Sequence, residues 1–169
     1  MSEMFIDKST LGSPYRISYN VLRNIGDPIL DGHHHDILSL LIHLADLLKK
    51  KRWEPSNKEI RVHTIDLFMK IRDSLAQHCE IEENLMRQKG YPQIEEHQEE
   101  HDLLLVRLDG FIYHCRRQGH PSFRLVKDFI RIWFLAHVNE SDAHFRDYLL
   151  VVPSKPLPPA GEFVPLLGT

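Results

Sequence analysis

Residues 78–101 read HCEIEENLMRQKGYPQIEEHQEEH, and this stretch decides the fold of the chain. On either side of its centre, metal-binding side chains recur four residues apart: His78 with Glu82, and His97 with His101. Residues four apart lie on the same face of an α-helix. The Gly-Tyr-Pro run between the two pairs stops a helix and makes a short turn. The stretch therefore predicts two antiparallel helices whose facing sides carry four metal-binding side chains.

Helical spacing of apolar residues extends beyond this stretch in both directions. Ser56 followed by Glu59 is a capping-box signature for the start of the helix that contains His78. No strand-like alternation of useful length appears in the sequence. The predicted helices span about 31–50, 56–89, 93–118 and 122–150.

Four helices of this length, joined mostly by short connections, predict an all-α fold: an up-down-up-down four-helix bundle over residues 27–150. Residues 1–26 carry few periodic signals and are predicted to form an irregular N-terminal arm. Residues 151–169 hold five of the ten prolines, so this Pro-rich C-terminal tail cannot continue the last helix. The tail is expected to pack on the bundle, or alternatively to dock on a protein partner.

The composition is that of an ordinary single domain of 169 residues with a net charge of −3. No basic run indicates nucleic acid or an anionic membrane surface as a partner. No apolar run reaches the roughly 18–20 residues of a membrane span, and the first ten residues lack the apolar stretch of a signal peptide. Two isolated cysteines, Cys79 and Cys115, are expected to be buried, reduced thiols. We therefore expect a cytoplasmic protein.

The chain contains twelve histidines, and their positions carry more information than their number. Polar side chains on an otherwise apolar helical stripe cost a few kcal/mol unless they are satisfied. Five imidazoles and two carboxylates on four such stripes are hard to satisfy with one another, whereas a bound cation neutralises the carboxylates and accepts the imidazole lone pairs. The seven candidate metal ligands are His34, His78, Glu82, His97, His101, His137 and Asp142.

The types of ligand restrict the metal. Imidazole and carboxylate without thiolate suit iron, manganese or zinc better than copper(I) or an iron–sulfur cluster. Seven ligands are too many for one ion and suit two, with both carboxylates bridging them. The pattern thus predicts a two-metal site in the core of the bundle.

Helical spacing leaves two points about the candidate ligands open. Periodicity alone allows His33 as well as His34 to face the core. Asp142 follows His137 by five residues, which in an ideal α-helix rotates it off the same face by about 140°. We therefore predict a π-bulge or widened turn between these two residues, a feature often found at functional sites.

Over about residues 19–148 the sequence resembles the hemerythrins, and more closely the bacterial hemerythrins. Family spacing after Asp31 selects His34 rather than His33. All seven ligand positions of the family are filled, in order, by the expected residue types. The motifs that carry the resemblance are Leu-Asp-Gly-His-His at 30–34, His78-x-x-x-Glu82-Glu83 with Met86, Gly90-Tyr91-Pro92, His97-x-x-x-His101, and Trp133-x-x-x-His137-x-x-x-x-Asp142.

The resemblance implies two iron ions, Fe2+ or Fe3+, that share an oxo or hydroxo bridge. It implies that His97, His101 and His137 hold the first iron, and that His34 and His78 hold the second. The two carboxylates, of Glu82 and Asp142, would bridge the ions. The second iron would be five-coordinate and would bind dioxygen as a hydroperoxide.

The function implied by this resemblance is reversible dioxygen binding, for carriage, storage or sensing, rather than enzymatic catalysis. Alternatives are a di-iron enzyme that acts as a peroxidase or detoxifies nitric oxide or peroxide, or an iron store. Five imidazoles against two carboxylates are expected to favour reversible binding over oxygen activation.

Three further residues are candidates for the walls of the ligand pocket: Leu104, Trp133 and Phe134. Leu104 and Trp133 are at helical spacing and are expected to be core residues first, with the pocket wall as a secondary role. Phe134 stands where leucine is usual in the family, and is expected to narrow the pocket. Tyr19, in the N-terminal arm, stands where bacterial hemerythrins usually have tryptophan.

Overall fold

The computed structural model describes residues 22–50, 58–117 and 122–151. Most of the N-terminal arm, with Tyr19, the capping residue Ser56, and the Pro-rich tail with its predicted docking role lie outside the described residues. The elements are α1 (Pro28–Lys50), α2 (Lys58–Lys89), α3 (Ile94–Arg117), and a last helix in three parts: α4 (Phe123–Asp128), a π segment (Phe129–Phe134) and α5 (Leu135–Val151).

Helix α1 begins three residues before the predicted start, because Asp27 and Pro28 form a helix cap. The Asp27 carboxylate accepts hydrogen bonds from the amides of Ile29 (2.9 Å) and Leu30 (3.2 Å), which have no partner within the helix. Pro28 occupies the first helical position, where its missing amide hydrogen costs nothing. One turn on, the carboxylate of Asp31 accepts the amide of Ile25 at 2.6 Å. These bonds fix where α1 begins.

The Gly-Tyr-Pro turn ends α2 as predicted. Gly90 has a φ of +66°, which only glycine adopts without strain. The amide of Tyr91 donates to the carbonyl of Met86 (3.0 Å), and the amide of Gly90 donates to that of Arg87 (3.2 Å). This is a Schellman motif, and the accompanying apolar contact joins Met86 and Tyr91 with Phe145 of the last helix. The turn therefore anchors α5 as well as reversing the chain.

The last helix contains a widened turn, but not where the sequence predicted it. The π segment ends at Phe134, and His137 and Asp142 both lie within the regular helix α5. A π turn takes up one extra residue, so Phe134 is buried whereas Trp133, which the spacing predicted to be a core residue, is only half-buried. The predicted bulge between His137 and Asp142 is thus wrong in position.

Within the described residues the fold is an up-down-up-down four-helix bundle, as predicted. Helix α2 packs between α1 and α3, and α4 closes the bundle against α1. The core is mainly aliphatic, with Phe68, Ile71 and Leu108 fully buried at its centre. Cys79 and Cys115 are buried, free thiols, as expected. In this part of the chain no helix combines the length and apolar character that crossing a membrane requires.

Phe68 supports the core in the half of the bundle away from the histidines, where its ring packs 5.4 Å from that of Phe111. We expect Phe68→Ala to lower the free energy of unfolding by about 3–5 kcal/mol, because the fully buried ring leaves a cavity. Val62→Ala on the same helix, at a half-exposed position, is the matched control and should change it by less than about 0.5 kcal/mol. Urea unfolding measures both, and equal losses would contradict the assignment of this core.

Candidate metal centre

The pair His78 and Glu82 on α2 meets the pair His97 and His101 on α3. The Oε2 atom of Glu82 lies 3.4 Å from Nε2 of His78, 3.2 Å from Nε2 of His97 and 3.4 Å from Nε2 of His101. The Nε2 atoms of His97 and His101 are 3.1 Å apart. Because α2 and α3 are antiparallel, the end of one and the start of the other stand at the same level of the bundle. One carboxylate oxygen thus lies among three imidazole nitrogens.

Helices α1 and α5 bring the remaining candidates to the same level. Nε2 of His34 lies 3.1 Å from Nε2 of His78 and 3.1 Å from Oδ2 of Asp142. The other oxygen of Asp142, Oδ1, lies 3.0 Å from Nε2 of His137 and 3.4 Å from that of His97. All seven predicted ligands therefore lie together, and each is buried.

His34, and not His33, belongs to this cluster. The side chain of His34 is 2% exposed and its Nε2 atom faces the other imidazoles. His33 is half-buried, and its ring lies edge-on to that of His78 with 6.0 Å between centroids. The structure therefore places His34, the residue that the family spacing selects, in the cluster.

His137 and Asp142 reach the centre without a widened turn between them. On a regular helix they lie on opposite sides of the buried Val138, by about 100° and about 40°. The long imidazole approaches from one side and the shorter carboxylate from the other. Their 3.0 Å contact shows that this arc of α5 is wide enough to hold two ligands.

The donor atoms fit metal ions better than they fit one another. The Nε2 atom of His137, Oε1 of Glu82 and both carboxylate oxygens of Asp142 are buried, and none has a hydrogen-bond partner among the described residues. Bonds of about 2.1 Å place neighbouring ligands of a six-coordinate ion about 3 Å apart, close to the separations of 3.0–3.4 Å found here. The cluster is therefore compatible with a metal site.

Two overlapping groups of donors are present. Five residues whose donor atoms lie within 4.8 Å of one another form the larger group: Glu82, His97, His101, His137 and Asp142. The smaller group consists of His34, His78 and Asp142. Asp142 is common to both. The arrangement thus offers two unequal positions for cations that share a carboxylate.

The electrostatics of the cluster keep both central carboxylates ionised. Burial would raise the pKa of Glu82, but hydrogen bonds from His101, His78 and His97 hold it well below its usual range. Burial and the charge of Glu82 likewise oppose ionisation of Asp142, yet His137 and His34 keep its pKa low. The two carboxylates lie within a few ångströms of the same imidazoles, so they need positive charge between them.

Two of the imidazoles are held from behind by further carboxylates. Nδ1 of His101 lies 3.0 Å from Oε1 of Glu83, and Nδ1 of His137 lies 2.8 Å from Oε2 of Glu100. The hydrogen bond from His137 lowers the pKa of Glu100 to about 2. Burial opposes protonation of His137, but the charge of Asp142 and the bond to Glu100 raise its pKa to about 10.

The sequence names Glu83 only as part of the motif His78-x-x-x-Glu82-Glu83, with no role assigned, and it does not single out Glu100. Both are acidic residues next to a ligand in sequence, Glu83 after Glu82 and Glu100 before His101. That adjacency is the only signal the sequence offers. Which imidazole each carboxylate meets depends on the packing of α2 on α3 and of α3 on α5.

The three predicted pocket residues do not surround a single space. Leu104 and Trp133 line an open cleft of about 190 Å³ between α3 and the last helix, which reaches His137. The indole ring of Trp133 is covered by the guanidinium of Arg107, 3.4 Å from the ring centroid. Phe134 is instead fully buried, with its ring 6.4 Å from that of His34.

Comparison with known proteins establishes the family. Residues 26–149 match the family described as the hemerythrin HHE cation-binding domain, and the chain belongs to this family. Its structure is similar to that of wild-type hemerythrin, with a TM-score of 0.65 at 18% identity over 80% of this chain and 97% of that one. A hemerythrin variant with leucine replaced by alanine gives 0.64 at 18% identity, over 78% and 94%. No curated protein matches the sequence significantly. The resemblance to hemerythrins is confirmed.

Proposed function

We propose that this protein is a non-haem di-iron protein that binds dioxygen reversibly. The observation that carries the proposal is the inequality of the two donor groups, five residues against three, with Asp142 common to both. An ion held by the larger group is close to saturated with protein ligands. An ion held by the smaller group keeps positions for an external ligand, which is the feature that separates binding sites from purely structural ones.

In this proposal His97, His101 and His137 hold one iron, and His34 and His78 hold the other. Glu82 and Asp142 would be shared between the two ions, consistent with the short distances from their oxygens to imidazoles of both groups. A ferrous pair held by these residues would supply the two electrons for reversible binding of dioxygen.

The donor set supports iron rather than a softer metal. Imidazole and carboxylate suit iron, manganese and zinc, and thiolate would be needed for copper(I) or a cluster. Cys79 follows His78 directly, but burial and the charge of Glu82 raise the pKa of its thiol. Its sulfur also belongs to neither group of donor atoms, so Cys79 is not proposed as a ligand. Among the metals that suit these ligands, only iron and manganese change oxidation state readily.

The surroundings of the smaller group support binding rather than turnover. Phe134 and His34 are in edge-on contact and both are buried, so the ring of Phe134 covers this side of the centre. We propose that Phe134 limits access to bound dioxygen from the side of His34, and that Leu104 and Trp133 limit access through the cleft that reaches His137. The excess of imidazole over carboxylate further favours reversible binding over oxygen activation. The protein is accordingly proposed to be an oxygen-binding protein and not an enzyme.

The test is the ultraviolet–visible spectrum of the reduced, iron-loaded full chain before air, after air, and after oxygen is removed again. We expect charge-transfer bands that appear with air and vanish on deoxygenation. Bands that appear once and persist would contradict reversible binding and would favour peroxide or nitric oxide chemistry. If no bands appear although two irons are bound, dioxygen is not the ligand.

A further inference from the structure

We infer that the two metal positions are filled in a defined order: the position formed by His97, His101 and His137 fills first and empties last, and Glu83 and Glu100 increase the difference in affinity. This inference rests on the proposed two-metal site. It adds a role for two residues outside the ligand set, as positioning residues for the imidazoles. It also predicts that the chain passes through a state with a single bound metal.

The larger group is supported from outside by a network of hydrogen bonds. Glu83 accepts from Nδ1 of His101 at 3.0 Å, and is itself held by Gln98 at 2.5 Å and by Arg87 at 3.0 Å. Each of its contacts is made to a different side chain of α2 or α3. The carboxylate therefore has little freedom to turn away from His101.

Glu100 likewise holds the imidazole of His137 in place from outside the cluster. It accepts from Nδ1 of His137 at 2.8 Å and from the hydroxyl of Ser141 at 2.5 Å. His137 and Ser141 are one turn apart on α5, so one carboxylate of α3 holds two residues of that helix. Glu83 and Glu100 thus reach the same metal position from α2 and α3.

The smaller group has no such support within the described residues. Nδ1 of His34 and Nδ1 of His78 are both buried, and neither meets a hydrogen-bond partner in the described part of the chain. Their Nε2 atoms face the centre, as those of the other imidazoles do. The two positions therefore differ in their outer contacts as well as in the number of donors.

This contrast has two physical consequences. A carboxylate that accepts the Nδ1 hydrogen leaves the lone pair on Nε2, fixes the direction of the ring and makes the nitrogen more basic. It also adds negative charge one imidazole away from the cation. Loss of such a contact typically lowers metal affinity by about 10–100-fold. Among the described residues, two such contacts stand at one position and none at the other, and this favours stepwise filling.

Titration calorimetry of the metal-free full chain with Co²⁺ under nitrogen tests the inference, and the d–d spectrum of Co²⁺ follows each step. We expect two steps with unequal dissociation constants. Glu83→Gln and Glu100→Gln should weaken the tighter step by about 10–100-fold and leave the weaker step unchanged. Glu99→Gln is the matched control, because Glu99 is exposed on the same helix as Glu100. Glu83 and Glu100 lie at the edge of the cluster, so their substitution should leave the fold unchanged. Circular dichroism measures this.

A ligand variant assigns the steps. His34→Ala should retain the tighter step and lose the weaker one. Equal affinities in the unchanged protein, loss of the tighter step in His34→Ala, or an equal weakening of both steps in the glutamine variants would overturn the inference. The proposed function fails separately: two unequal Co²⁺ steps with no oxygen-dependent bands in the iron form would leave the inference standing and remove dioxygen binding.

Discussion

Replacing His101 with alanine is expected to abolish the oxygen-dependent absorption bands of the iron-loaded protein. His101 is one of three imidazoles around Oε2 of Glu82, and its Nε2 atom lies 3.1 Å from that of His97. The variant removes a donor that no neighbouring side chain can replace, and it leaves Glu83 without the imidazole it accepts from. We expect metal analysis to show fewer than two irons per chain, and dioxygen binding at least about 100-fold weaker.

His144→Ala is the matched control for this variant. His144 is on α5, two residues after Asp142, but its side chain is exposed. It should keep two irons and the full spectral change. Because alanine at a buried position also creates a cavity, circular dichroism and the unfolding midpoint must be recorded for both variants. Unchanged bands in a folded His101→Ala protein would contradict the assignment of His101 as a metal ligand.

Removing the metals is expected to lower the melting temperature of the protein by about 8–16 °C. Glu82 and Asp142 are both fully buried, and the charge of Glu82 opposes ionisation of Asp142. A cation between them relieves this repulsion in the folded state only. Free metal at a thousand times its dissociation constant stabilises the folded state by about 4 kcal/mol. In a domain of this size each kcal/mol corresponds to about 2–4 °C.

Differential scanning calorimetry with and without a chelator measures this effect. The control is the His101→Ala variant, whose melting temperature should respond much less to the chelator because it holds less metal. An unchanged melting temperature in the unmodified protein, under conditions where metal analysis confirms removal, would contradict a cation between the two carboxylates. A fall of similar size in both proteins would mean that the chelator acts elsewhere.

Much of this architecture was predictable from the sequence, because the spacing of apolar residues, caps and turn residues are local signals of a helix. Apolar spacing and the Gly-Tyr-Pro turn predicted α2 and α3 to within a residue or two at the ends the structure describes. The start of α1 lies three residues before the predicted one, because the apolar periodicity begins only after the cap that Asp27 and Pro28 form. This cap is itself a local signal of the sequence.

The π segment in the last helix could not be predicted from local sequence signals. An α-helix with apolar residues at 123, 126, 130 and 133, followed by the candidate ligand at 137, is a self-consistent pattern, and the sequence alone gives no reason to interrupt it. Packing against the rest of the bundle favours burial of Phe134 over Trp133, and an extra residue in one turn achieves it. The choice depends on the shape of the neighbouring helices, which a single helix does not encode.

For the metal centre, the sequence by itself determined which helices carry the candidate ligands. Spacings of four residues place His78 with Glu82, and His97 with His101, on one helical face whatever surrounds it, whereas His34 and Asp142 were selected by the spacing of the family. Only the tertiary structure decided how these side chains divide into groups of five and three, and that Glu83 and Glu100 stand behind His101 and His137. The physical reason is that these contacts join different helices. Their distances follow from the rotation and relative height of packed elements, and no local pattern along the chain specifies either.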